Sequence, residues 1–153
     1  MKVIFLDFDG VIITPESRER STAAFDLLNT IDRRCLNLLN QLIEATQAKV
    51  VISSSWRYFI SCEDIDRFLR ECDFIGEIIG QTPVSKFTDY NKYRRDEEIK
   101  KWLAEHEEID AYVVLDDQPE ILTEVDKYLV RTYYDEGLTT YHIKAAIEIL
   151  EKF

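Results

Sequence analysis

Three short apolar runs limit the fold of this chain more than any other feature: Val3–Leu6, Lys49–Ser53 and Ala111–Leu115. They are continuous rather than alternating, the pattern of strands covered on both faces. Helical patterns lie between them. Cys35, Leu38, Leu39, Leu42 and Ile43 repeat at helical spacing, with Asp32 as a candidate N-cap. A second helix is predicted from about Cys62 to Cys72, with an apolar stripe of Ile65, Phe68 and Leu69. Ser61 and Asp64 open it as a capping box in which Asp replaces Glu or Gln. Arg95–His106 places Ile99, Trp102 and Leu103 on one helical face, and Thr140–Leu150 reads as a closing amphipathic helix. Shorter strands are expected at Glu77–Ile79 and Tyr128–Val130. Residues 13–31 and 81–94 read as polar loops. This βαβα order predicts an α/β protein, a three-layer α/β/α sandwich around a mainly parallel sheet. At 153 residues the chain suits a single domain over 1–153.

In such sheets ligands bind beyond the carboxyl ends of the strands. Here the strand ends are chemically alike. The first runs into Asp7-Phe8-Asp9-Gly10, the second into Ser53-Ser54-Ser55, and the third into Asp116-Asp117. If the strands are neighbours, four carboxylates and a hydroxyl converge. Clustered carboxylates repel and drive protons onto one another. A hard cation resolves the conflict, and Mg²⁺ prefers oxygen ligands. With the charge neutralised, a carboxylate can attack an anionic phosphate through an aspartyl-phosphate. Asp9 lies two residues beyond Asp7, so in an extended strand it shares that face. As the chain turns at Gly10, Asp9 can reach the leaving oxygen as general acid.

Composition narrows the classes further. Thirty acidic against 19 basic residues give a net charge of −11, which disfavours broad nucleic-acid binding. The densest basic group is Lys92, Arg94 and Arg95. Three irregularly spaced cysteines (Cys35, Cys62, Cys72) form neither a disulfide framework nor a zinc site. Cys35 and Cys72 read as reduced core residues. The first apolar run is broken at once by Asp7, unlike a signal peptide, and no stretch approaches a membrane span. A cytoplasmic setting is the expectation.

Asp7-Phe8-Asp9-Gly10-Val11-Ile12 resembles the first motif (DxDGV/T) of the haloacid dehalogenase (HAD)-like phosphatases. Val51-Ile52-Ser53 resembles their second motif and Val113-Val114-Leu115-Asp116-Asp117 their acidic fourth, in the family's order. Ser54-Ser55-Trp56-Arg57, the Arg95 to Leu103 segment and Gly137-Leu138-Thr139 are similar to a narrower group. Its members are compact HAD domains of bacterial and phage proteins, some joined to "Swiss army knife" RNA-repair enzymes. The resemblance covers essentially the whole chain and implies a Rossmann-like fold and a Mg²⁺-dependent phosphomonoesterase. It makes Asp7 the nucleophile and a metal ligand. Asp9 becomes the general acid/base, ligating the metal through its backbone carbonyl. Ser53 binds the transferring phosphate, with Ser54, Gly10 and a third-motif base around it. Asp116 and Asp117 complete the metal site. Lys92, Arg94 and Arg95 all qualify as that base, and Arg95 matches the narrower group's spacing best. Neither polar loop is long enough for a large cap. A small flap or short helix at 13–31 leaves the site open to a bulky phosphorylated substrate: a small molecule, a phosphoprotein or a nucleic-acid end.

Other readings compete. A receiver domain also uses acids, a hydroxyl and a base, but it carries its acidic pair at the first strand. A HAD-like module that only recognises phosphate, and a nucleic-acid end-processing phosphatase, are the remaining alternatives. Locally, Ser54 and Ser55 suit loop capping, Asp116-Asp117 could cap a short helix, and Trp56 suits flap packing. Arg57 reads as a surface ion pair, and His106 and His142 as helix-surface residues.

Overall fold

A computed structural model describes residues 1–84, 95–118 and 126–152. Lys92 and Arg94 lie outside the described residues, as does the rest of 85–94, most of the expected 81–94 loop. The strands are β1 (Lys2–Leu6), β2 (Lys49–Ile52), β3 (Ile78–Gln81), β4 (Ala111–Asp116) and β5 (Leu129–Arg131). They form one parallel sheet in the order β3-β2-β1-β4-β5. The helices are α1 (Pro15–Arg18), α2 (Leu27–Thr30), α3 (Arg33–Thr46), α4 (Cys62–Glu71), α5 (Arg95–Ala104) and α6 (Thr140–Glu151). This is the expected α/β Rossmann-like architecture. No described helix is long and apolar enough to cross a membrane.

The unbroken apolar runs divide between two cores because successive strand residues point to opposite faces. On one face Ile4, Leu6 and Phe8 join Leu36, Leu39 and Leu42 of α3, with contributions from α4 and α6. On the other, Val3, Phe5, Val51 and Val114 meet Ile99 and Trp102 of α5. The Phe5 ring stands edge-on to Trp102, with centroids 5.5 Å apart.

The shorter strands moved by a residue or more from their predicted spans, to Ile78–Gln81 and Leu129–Arg131. The polar stretch from 13 to 31 holds two single-turn helices. Thr14 caps α1 through a reciprocal box with Ser17, with Pro15 at the first helical position. Asp26 caps α2. The cap expected at Asp32 is present: its Oδ1 accepts from the Arg34 and Cys35 N–H groups. Its Oδ2 also accepts from the Thr14 hydroxyl at 2.8 Å, tying α1 to α3. Cys35 and Cys72 are buried and free, and burial pushes the Cys35 thiol up to about 11, so it behaves as a core residue.

Two surface assignments fail. His142 is buried, because its Nδ1 accepts the Thr139 N–H at 3.0 Å and closes the N-terminal box of α6. Arg57 is also buried. Its guanidinium pairs with buried Glu98 and donates to the Ser54, Thr82 and Pro83 carbonyls. A charge enclosed this way needs its partners, since solvent cannot replace them.

Because Asp32 serves both a helix cap and a cross-link, Asp32→Ala should cost about 1–2 kcal/mol of stability. Urea denaturation measures this, and an unchanged midpoint would show that the cap contributes nothing.

Candidate active site

The sheet register assembles the site. β1 is paired on both sides, with Leu6 opposite Ile52 of β2 and Leu115 of β4. The residue after each strand pair is therefore level with its neighbours. The ladder continues one step: the Asp7 N–H donates to the Leu115 carbonyl at 3.0 Å, and the Ser53 N–H to Leu6 at 2.9 Å. Asp7, Ser53 and Asp116 thus stand side by side at the carboxyl edge, and all three are buried.

Beyond Asp7 the chain closes a tight turn in which the Phe8 carbonyl accepts from the Val11, Ile12 and Ile13 N–H groups. Phe8 itself is anchored in the core. Gly10 adopts φ +78°, a left-handed conformation that favours glycine, and a Cβ there would collide with the Asp117 carboxyl group. The Gly10 carbonyl accepts from the Thr132 hydroxyl at 2.6 Å, fixing the turn to the segment after β5.

Carboxylate oxygens of Asp7, Asp116 and Asp117 lie within 4.8 Å of one another. Arg95 enters from the first position of α5 and is itself buried. Its Nη1 is 2.9 Å from Asp7 Oδ1 and 2.6 Å from Asp116 Oδ2. The helix explains the approach. Arg95, Glu98, Ile99 and Trp102 are its buried residues and follow helical spacing, so one stripe is charged at the strand ends and apolar over the sheet.

Burial pushes the Asp7 carboxyl well above its ordinary range, with neighbouring Asp116 adding to the rise and Arg95 opposing it. Burial and then Asp116 raise Asp117 as well. Three ionised carboxylates against one guanidinium leave two negative charges, the charge that one divalent cation balances. The donor set is all oxygen, suited to a hard cation. Ser53 Oγ is buried with no hydrogen-bond partner among the described residues, although it faces the same edge. Buried hydroxyls are seldom left unmatched, so an oxygen-rich ligand fits this position.

Other expected site residues sit differently. Ser54 is fully buried, and its Oγ accepts the Trp56 N–H at 3.2 Å, capping the single-turn helix Ser55–Tyr58. Asp116 Oδ1 accepts from the Gln118 N–H, so this side chain serves the turn as well as the cluster. Asp9 is outside the three-carboxylate cluster. It is paired with Arg18 of α1 and accepts from Trp56 Nε1 at 3.1 Å. Sequence reasoning missed Arg18, Glu98 and Thr132. The Thr14-Pro15-Glu16-Ser17 cap signature could have found α1 and hence Arg18; nothing in the sequence marks Thr132.

Residues 3–143 match the family described as HAD domain in Swiss Army Knife RNA repair proteins. No curated protein matches the chain.

The raised Asp7 carboxyl has a definite effect on stability. In the unfolded chain Asp7 ionises near pH 4; in the folded chain it ionises higher, so its stabilising contribution is complete below that pH and is lost as pH rises through the folded value. In chelator, Asp7→Asn should therefore melt above the wild type at pH 8, with the gap closing toward pH 4. Calorimetry at both pH values tests this; a variant that melts below the wild type at pH 8 would contradict the sign.

Proposed function

The chain belongs to this family of HAD domains, and we propose that it is a magnesium-dependent phosphomonoesterase working through a phosphorylated Asp7. The observation that carries the proposal is the buried edge on which Asp7, Asp116, Asp117, Arg95 and the unmatched Ser53 hydroxyl converge. A surface cluster of acids needs no buried guanidinium, and a purely structural ion pair needs no third carboxylate.

In this reading Asp7, Asp117 and Asp116 would hold Mg²⁺, with the Asp9 backbone carbonyl as the further ligand that the family resemblance implies. The ion would supply charge neutralisation between carboxylate and phosphoryl oxygens. Arg95 holds Asp7 in place and compensates Asp116, so the nucleophile keeps one orientation. A carboxylate oxygen of Asp7 attacks phosphorus, the ester P–O bond breaks, and the departing oxygen takes a proton from Asp9. Asp9 then removes a proton from water, which attacks phosphorus and releases phosphate, restoring Asp7. Ser53 Oγ donates to a phosphoryl oxygen as charge redistributes over that group. Gly10 keeps the turn narrow enough for Asp117 to approach, and Ser54 acts by shaping the loop that carries Ser53. Before it can transfer a proton, Asp9 must exchange its contact with Arg18 for one with substrate.

Asp7→Asn should lower turnover of an aryl phosphate by on the order of 10⁴-fold or more, and EDTA should abolish wild-type turnover. Asp9→Asn should cost about 10²–10⁴-fold. Having lost the base for the second step, it should accumulate acid-stable phosphorylated protein, while Asp7→Asn accumulates none. Wild-type turnover in Asp7→Asn would end the proposal.

A further inference from the structure

One cleft of the molecule has no part in the cluster of acids, although it opens beside it. It encloses about 350 Å³, and Asp9 and Arg18 lie along its wall. The rest of its lining includes Trp56, Phe25 and Phe59. The rings form a row. Trp56 donates to Asp9, Phe25 stands edge-on to Trp56 at 6.4 Å, and Phe59 stacks on Phe25 at 4.4 Å with 28° between planes. Phe25 and Phe59 are 51% and 63% exposed, so two large rings are held in water against the hydrophobic effect.

Local geometry holds Phe25 there at a cost. Its φ is +58°, a left-handed conformation unusual for a bulky side chain. The next residue is pinned from both sides: Asp26 accepts from the Ser21 hydroxyl and caps α2. Strained backbone presenting an exposed ring is a feature that clusters at ligand sites.

We propose that Phe25, Trp56 and Phe59 form a stacking platform for the base of a nucleotide whose phosphate sits at Asp7, and so set the specificity of the reaction. The inference rests on the phosphatase reading above and names its substrate class. Asp9 is the proton donor to the leaving oxygen in that reading, so whatever leaves with that oxygen enters the cleft on whose wall Asp9 lies. A row of rings starting at Asp9 and running outward suits a planar group set off from phosphorus by a sugar. Arg18, the one cation among the lining residues, stands at the phosphate end. The chain's charge of −11 opposes a long polyanion, so the platform takes one terminal nucleotide rather than a tract of backbone. Base stacking of this kind tolerates any base, because every base has a flat face.

Binding to the Asp7→Asn variant in Mg²⁺ separates this inference from catalysis. Calorimetric titration with adenosine 3′- and 5′-monophosphate should show at least about tenfold tighter binding than glycerol phosphate, the worth of one stacked ring. Adding Phe59→Ala, at the most exposed ring, should remove most of that ratio, and Phe59→Tyr should restore it. Equal affinity for nucleotide and glycerol phosphate, or a ratio unmoved by Phe59→Ala, would overturn the platform. Tighter binding of a phosphotyrosine peptide than of either nucleotide would overturn the choice of occupant. Turnover of an aryl phosphate by the wild type, with Asp7→Asn as its control, tests the phosphatase reading separately, since its absence would leave the binding ratio standing.

Discussion

The guanidinium of Arg95, enclosed between the Asp7 and Asp116 carboxylates, is the interaction on which this site depends. Parallel strands in flush register bring like charges to one buried edge, where water cannot screen them. Without a cation in that position the edge would have to protonate or spread. Arg95 offsets part of the repulsion, yet both Asp7 and Asp117 remain raised. The edge is left with a standing demand for positive charge, which is the physical basis for reading it as a metal centre.

A second buried cation secures the first. Arg57 ties the Ser53–Ser55 loop to the chain beyond β3 through the Ser54, Thr82 and Pro83 carbonyls, and reaches Glu98 one turn along α5 from Arg95. The loop that carries the Ser53 hydroxyl and the helix that carries the guanidinium are thereby one mechanical unit. Its polar members are enclosed, so a change in either element is transmitted to the other through directional bonds rather than through packing alone.

Much of this was legible before the structure. A strand covered on both faces writes a continuous apolar run, and the residues that stop the run stand at the sheet edge; Asp7, Ser53, Asp116 and Asp117 follow from that rule. Arg95 was one of three basic candidates, and helical spacing to Glu98, Ile99 and Trp102 could have favoured it. What composition hides is partnership at long range. Arg57 looks like any surface arginine until Glu98 arrives from 41 residues away, and His142 looks exposed until its ring folds back onto Thr139. Asp9 was placed with the other acids by the period of a strand, but the chain turns after Phe8 and hands Asp9 to Arg18 and Trp56.

Among the described residues, the stretch between Thr14 and Thr30 is tied to the N-cap of α3 by Thr14 and Asp32 and to the turn after β1 by Arg18 and Asp9. It supplies most of the cleft wall but none of the clustered carboxylates. On the proposed reading, reaction chemistry and choice of leaving group are thus assigned to separable stretches of chain. If that reading holds, exchanging one short insert would redirect the enzyme to a new ester while the edge of carboxylates is inherited intact.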